Sequence, residues 1–172
     1  AGIDSFKIEG RMKSAYYAAV VTNSYRMAID AYMRDKDAYV FDQRIMRELE
    51  SVSHREYCTG FYLDDPMEEP QMSTINGYIR EKAYFATALE KDELPLPEGL
   101  EAKNENGILA PFIQRNKIKL GDSAEMISPR KLGRAFGVTE LYSESGEPIL
   151  LFCNGFGWEP DTQVYISGPS GD

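Results

Sequence analysis

Residues 5–17 read SFKIEGRMKSAYY and decide how the N-terminal part of the chain is interpreted. Phe6 and Ile8 alternate with charged residues, a pattern that predicts a short, half-buried strand. Gly10 interrupts the alternation, and Ser14 can cap a helix that begins immediately afterwards. A strand so near the start of the sequence has no earlier element with which to pair. We therefore expect the chain to be the C-terminal part of a larger protein.

Charged side chains follow one another where this predicted strand meets the helix. Strand ends and helix N-termini are where α/β folds, including (β/α) barrels, hold ligands. Arg11 could bind an anion through two hydrogen bonds and Glu9 could accept a hydrogen bond, with Lys7 beside them. We therefore assign Lys7, Glu9 and Arg11 as candidate catalytic residues of the intact protein. The alternative is a structural strand end with an incidental ion pair between Lys7 and Glu9.

The next sixty residues are predicted to be helical and then to end in a linker. Apolar residues recur every three or four positions from Ser14 to about Arg34, which predicts an amphipathic helix. A second helix is expected from its cap at Asp42 to about Ser53. Residues 64–70 hold two prolines and four acids, a composition typical of a linker. We assign residues 1–65 to a first domain, 66–76 to the linker and 77–172 to a second domain.

The second predicted domain carries β signals throughout. Short strands are predicted in residues 78–89, at 107–110, 112–114, 124–127 and 136–142, and as a closing strand at 163–166. Turn-forming pairs separate them, among them Gly121-Asp122 and Ser145-Gly146. Many short strands favour a small closed antiparallel barrel, because closure removes the sheet edges. The predicted fold class is α+β: a strand–helix segment from the end of a (β/α) barrel, followed by a small antiparallel β-barrel.

Charge is distributed unevenly along the chain. The 172 residues carry a net charge of -9, which argues against indiscriminate binding of nucleic acid. Between residues 115 and 134, however, six basic side chains face two acidic ones. We predict that the basic group contacts structured RNA; the alternative is a solvated charged face. Its members are Arg115, Lys117, Lys119, Arg130, Lys131 and Arg134.

Other chemistry finds little support in the sequence. His54 is the one histidine, and Cys58 follows four residues later, so a cysteine–histidine nucleophile pair is conceivable. The sequence shows no third group that would orient or activate them, so we predict that the cysteine is inert. Cys58 and Cys153 match no metal-binding spacing, so no metal site is predicted. No stretch approaches the ~20 apolar residues of a membrane span, and nothing resembles a signal peptide. We expect a cytoplasmic protein.

The sequence resembles peptidase family U32, the collagenase-like proteins. The resemblance is carried by residues 3–14, by Tyr16-Tyr17, and by residues 77–85, which read GYIREKAYF. It implies a (β/α) barrel with a helical extension and a small C-terminal β-barrel. Several members of the family are linked to hydroxylation of bases in tRNA or ribosomal RNA, or of a quinone precursor.

The resemblance also implies a cofactor and a role. Such proteins hold an iron–sulfur cluster on four cysteines of the upstream barrel, so no cofactor is expected within this chain. The expected function is positioning of tRNA, or other structured RNA, for an iron–sulfur-dependent hydroxylase. The alternatives are a substrate-recognition or assembly module of a collagenase-like peptidase, and a structural dimerisation module. Self-association through the strand predicted at residues 5–9 is a further expectation.

Overall fold

The structure is a computed structural model. It describes residues 4–55, 57, 59–60, 62, 81–89, 93, 100, 108–143, 145–148, 151–152 and 163–168. The chain divides into two compact units: the first comprises residues 1–83 and 127–132, the second residues 84–126 and 133–172. The linker predicted at 66–76 lies outside the described residues, and the domain boundaries remain a prediction.

Two helices form the framework of the first unit. Helix α1 spans Ala15–Arg34, and its cap is Ser14, whose hydroxyl accepts a hydrogen bond from the backbone N–H of Tyr17 at 3.2 Å. Helix α2 spans Gln43–Ser51 and is capped by Asp42, whose carboxylate accepts from the backbone N–H of Arg44 at 2.9 Å. Hydrogen bonds from Arg44 also hold the pKa of Asp42 below its ordinary value of 3.8. Both predicted helices and both caps are confirmed.

The core of the first unit is small and lies between these helices. Val20 and Val21 of α1 pack with Val52, which follows α2 and is only 1% exposed. Leu49 and Ile127 pack against the same cluster. The apolar face of α1 predicted from its periodicity therefore meets α2, as an amphipathic helix requires.

The strand predicted at the start of the chain is not present. Residues 4–10 adopt no strand conformation, and the side chains of Phe6 and Ile8 are 55% and 37% exposed. The Phe6 ring lies 6.4 Å from the ring of Tyr25 on α1. A strand needs a neighbour for its backbone hydrogen bonds, and no described segment pairs with this one. The segment ends in a turn in which the N–H of Lys13 donates to the carbonyl of Gly10 at 2.9 Å.

The second unit consists of antiparallel strands. Within the described residues they are β1 (Ala86–Ala88), β2 (Ile108–Gln114), β3 (Ile118–Lys119), β4 (Ser123–Met126), β5 (Arg134–Gly137), β6 (Glu140–Ser143), β7 (Leu151–Phe152) and β8 (Gln163–Gly168). One four-stranded sheet has the order β1-β2-β8-β6, and β3–β7 and β4–β5 form two separate pairs. The strand predicted at 163–166 is confirmed, and it lies in the interior of the sheet.

The apolar residues of these strands form the core of the second unit. Phe112, Ile118, Ala124, Val138 and Leu141 form one buried cluster. Ile118 and Leu141 are each 2% exposed, so the short strand β3 and the sheet strand β6 contribute to the same core.

The predicted closed barrel is not found among the described residues. The four-stranded sheet has edges at β1 and β6, and neither two-stranded pair joins them by a strand ladder. Closure is one way to remove sheet edges, but very short edge strands also limit their exposure, and β1 has three residues. The α+β class holds, whereas the barrel closure does not.

Two strand boundaries also differ from the prediction. Residues 136–142 form the ends of β5 and β6 rather than one strand, because buried Val138 pairs with the 121–122 turn, donating its N–H to the carbonyl of Asp122 at 2.9 Å. Two strands were predicted at 107–110 and 112–114, but the described residues 108–114 form one strand, β2, despite Pro111 in its interior. The Pro111 carbonyl accepts from Leu89 just beyond the end of β1, so the missing N–H falls on that side and leaves the pairing with β8 intact.

Candidate nucleic-acid interface

The candidate catalytic residues lie on the exposed N-terminal segment. Lys7 Nζ and Glu9 Oε2 are 3.8 Å apart, with side chains 86% and 70% exposed. The backbone N–H of Arg11 donates to Glu9 Oε1 at 3.1 Å, and the Arg11 side chain is exposed. Such exposed pairs contribute little to stability. The structure thus brings Lys7 and Glu9 together, and the catalytic role of all three residues remains a prediction.

Lys13, at the end of the same segment, contacts Ser53 and Tyr17 through its side chain. Its Nζ donates to the backbone carbonyl of Ser53 at 2.9 Å and to the Ser53 hydroxyl at 3.2 Å. The ammonium also lies 5.3 Å from the centre of the Tyr17 ring, within the range of a cation–π contact. Lys13 therefore ties the turn before α1 to the segment after α2, which is a structural role.

The six predicted RNA-binding residues are all exposed, but they belong to two different units. Arg115, Lys117, Lys119 and Arg134 lie in the second unit. Ile118 is buried between the two exposed lysines, so the alternation of a strand turns both lysines away from the core. Lys119 begins the turn predicted at 121–122, where its N–H donates to Asp122 Oδ2 at 2.8 Å.

Arg130 and Lys131 belong to the first unit and lie on a tight turn, residues 128–131. The N–H of Lys131 donates to the carbonyl of Ser128 at 3.3 Å, and Pro129 occupies the second position. Arg130 has φ of 63°, the one positive φ among the described non-glycine residues. Proline followed by a left-handed residue is the geometry of a type II turn, in which glycine or asparagine usually takes the place of Arg130.

A side chain of α1 holds this turn. Asn23 Oδ1 accepts from the backbone N–H of Arg130 at 2.5 Å, and Asn23 Nδ2 donates to the carbonyl of Lys131 at 2.8 Å. One and two turns further along α1, Arg26 and Asp30 form an ion pair, and Arg130 Nε lies 4.0 Å from Asp30 Oδ2. The turn and this face of α1 therefore form a single polar surface.

Sequence reasoning did not identify Asn23 or Arg26 as members of this surface. Both occupy positions of α1 that the apolar periodicity leaves polar: Arg26 lies three residues after Asn23, and Asp30 lies four residues after Arg26. That pattern predicts a polar helix face. It does not indicate what the face contacts, since the 128–131 turn is more than 100 residues away in the sequence.

His54 is buried, and its described contacts are with neighbouring residues of the fold. The ring is 9% exposed, stacks on Tyr57 with centroids 4.7 Å apart, and places Nδ1 2.8 Å from the carbonyl of Val52. Because a carbonyl only accepts, Nδ1 carries the proton. The Tyr57 hydroxyl donates to the carbonyl of Leu49 at 3.0 Å, and burial is the main cause that raises the pKa of Tyr57 to about 12.

The cysteine–histidine pair that the sequence disfavours, and the prediction of no metal site, concern residues that the structure describes only in part. Cys58 and Cys153 lie outside the described residues, so a pairing of Cys58 with His54 is not tested. In the part of the chain that is described, no three His, Cys, Asp or Glu side chains are grouped so that they could hold a metal ion. Within the same residues, neither helix is long and apolar enough to cross a bilayer.

Comparison with known proteins identifies the class. Peptidase family U32 matches residues 1–72. The chain is 30% identical over 148 residues to tRNA hydroxylation protein P1 of Bacillus subtilis (strain 168), covering 86% of this chain and 32% of that protein. It is 36% identical over 129 residues to tRNA hydroxylation protein P of Haemophilus influenzae (strain ATCC 51907 / DSM 11121 / KW20 / Rd), covering 75% and 25%.

A relative with a different name shares the same region. The chain is 26% identical over 129 residues to a collagenase of Porphyromonas gingivalis, covering 75% of this chain and 33% of that protein. The chain thus spans between a quarter and a third of the length of these curated relatives. No solved structure matches it. Residues 1–72 belong to peptidase family U32, and the family predicted from the motifs is confirmed.

Proposed function

We propose that this chain contributes tRNA contacts to a full-length protein that hydroxylates a tRNA base. The relatives from Bacillus subtilis and Haemophilus influenzae are both named tRNA hydroxylation proteins. The observation that carries the proposal is the set of six exposed basic side chains, which lie on β3, on β5, on the 128–131 turn and on the segment between β2 and β3 of an acidic chain. A cytoplasmic location follows as part of the same proposal, because tRNA is the substrate class.

The charge distribution supports contact with phosphate at particular places. With a net charge of -9, the chain as a whole repels RNA, so any attraction must come from local groups. Lysines and arginines that neutralise phosphates release counterions, and each such contact makes affinity more dependent on salt. We therefore expect RNA binding with a salt slope that falls when these residues are removed.

The iron–sulfur cluster implied by the family resemblance does not fit the residues of this chain. Four cysteine ligands are needed, and the sequence contains two cysteines. We therefore propose that any cluster belongs to another part of the full-length protein. The role proposed for this chain is to bind and orient the RNA rather than to perform the oxidation.

The test is tRNA binding by the full-length protein at several salt concentrations. The variant carries Arg130→Glu, Lys131→Glu and Arg134→Glu, and a control with the same change in net charge carries Arg34→Glu and Arg47→Glu together with Lys36→Glu. We expect the first variant to weaken binding and to lower the salt slope by about 0.7–0.9 for each phosphate that is no longer neutralised. We expect the control to retain the wild-type slope.

Two outcomes of that experiment would count against the proposal. Unchanged affinity and slope in the first variant would exclude this group from the interface. Equal losses in both variants would show that only net charge matters, and not the position of these residues.

The collagenase relative favours one second candidate, a module that recognises protein substrate for a peptidase. Purified full-length protein should then cleave gelatin. We expect no gelatin cleavage by the tRNA-binding protein.

A further inference from the structure

We propose that Asn23 is a positioning residue that fixes the 128–131 turn so that Arg130 and Lys131 can bind RNA phosphate. The proposal rests on the proposed tRNA function and names a residue through which one part of the interface acts. Asn23 itself need not touch the RNA.

The two hydrogen bonds made by Asn23 require an amide side chain. Its oxygen accepts from the N–H of Arg130, and its nitrogen donates to the carbonyl of Lys131. A carboxylate in its place could accept but not donate, and an alanine could do neither. Because the bonds reach two successive residues of the turn, they fix both the position and the orientation of its backbone.

The backbone conformation of Arg130 explains why the turn needs such support. A residue with a Cβ in the left-handed region is less stable than in its ordinary conformation, and such residues persist where their surroundings determine them. The φ of 63° at Arg130 occurs at the position where Asn23 binds. Without Asn23, we expect the turn to sample other conformations and the two basic side chains to lose their fixed direction.

The charges around the turn indicate an anionic ligand. The Arg130 side chain is 78% exposed, and the nearby carboxylate of Asp30 is shared with Arg26. Lys131, the next residue, adds a further exposed cation, so these four residues comprise three cations and one carboxylate. Guanidinium and ammonium groups in excess over carboxylate suit phosphate oxygens, which tRNA presents at every nucleotide.

A double-mutant cycle in the full-length protein tests the inference. The variants are Asn23→Ala, the pair Arg130→Ala with Lys131→Ala, and all three changes together. Thr22→Ala, an exposed neighbour on α1, is the control. Unfractionated tRNA is titrated at several salt concentrations, and circular dichroism confirms that each variant folds.

The expected result has three parts. The variant that carries both Arg130→Ala and Lys131→Ala, called the pair, weakens binding. It lowers the salt slope by about 1.4–1.8, the value for two phosphate contacts. Asn23→Ala also weakens binding and lowers the slope, by at most the same amount. In the background of the pair, Asn23→Ala changes affinity by less than about twofold, because the residues through which it acts are already absent.

The tRNA titration distinguishes an error in the role of Asn23 from an error in the proposed function. If the pair leaves affinity and slope unchanged, these residues do not bind tRNA and the proposed function loses its basis at this turn. If the pair weakens binding but Asn23→Ala does not, only the positioning role is wrong. An undiminished effect of Asn23→Ala in the background of the pair would also overturn it. If Asn23→Ala does not fold, Asn23→Ser, too short to reach both backbone groups, is read in the same way.

Discussion

Glycine at position 130 should stabilise the protein relative to alanine, the reverse of the usual order. Arg130 has φ of 63°, and an L-residue in this region loses roughly 1–2 kcal/mol that glycine does not. Glycine in turn loses roughly 0.5–1 kcal/mol more backbone entropy on folding than alanine. The ion pair with Asp30 is absent from both variants and cancels. Arg130→Gly should therefore be more stable than Arg130→Ala by about 0.5–1 kcal/mol.

Urea unfolding of the two variants is monitored by circular dichroism. Their free energies of unfolding are compared, provided that both variants unfold with the same denaturant slope m. Arg26 on α1 offers a control position with ordinary helical geometry. There, Gly should be less stable than Ala by about 1 kcal/mol. If Gly is also the less stable residue at position 130, the turn is not left-handed at Arg130 and the reasoning about its support by Asn23 fails.

Three further changes probe other parts of the chain. Leu141→Ala should lower the free energy of unfolding by about 2–5 kcal/mol in urea, because Leu141 is buried in the core of the second unit; a loss below about 1 kcal/mol would contradict that burial. The raised pKa of Tyr57 means that the neutral phenol stabilises the fold fully below pH 10, and that this contribution is lost as pH rises through about 12. Ultraviolet titration should show a late-ionising tyrosine that Tyr57→Phe removes, and an unaltered titration curve would refute the assignment. Gly133→Ala should destabilise by at most about 1 kcal/mol, since its Cβ would overlap the Glu125 side chain, whose flexible end can move aside; combining it with Glu125→Ala should remove this overlap, and a larger loss that Glu125→Ala does not reduce would place the strain elsewhere.

The parts of the fold that depend on neighbouring residues were predictable from the sequence. Ser14 and Asp42 cap their helices because capping involves only the next two or three residues. The 121–122 and 145–146 turns are likewise local, with Gly121 and Gly146 at φ of 86° and 83°. Such features need no knowledge of the remaining chain.

The features that were wrong or missed depend on distant partners. The alternation of Phe6 and Ile8 is compatible with a strand but cannot supply the neighbouring strand that its backbone requires. The basic character of residues 115–134 was visible in the sequence. The hydrogen bonds from Asn23 to Arg130 and Lys131 were not, because they join segments more than 100 residues apart. A local pattern shows which side chains are polar and not what they contact.

The proposed role of this chain in the modification of tRNA can be tested in cells. The most direct test measures hydroxylated nucleosides in tRNA by mass spectrometry, in cells whose full-length protein carries Arg130→Glu, Lys131→Glu and Arg134→Glu. Protein abundance is measured alongside. We expect the hydroxylated nucleosides to decrease while abundance stays at the wild-type level. Unchanged hydroxylation at equal abundance would contradict it.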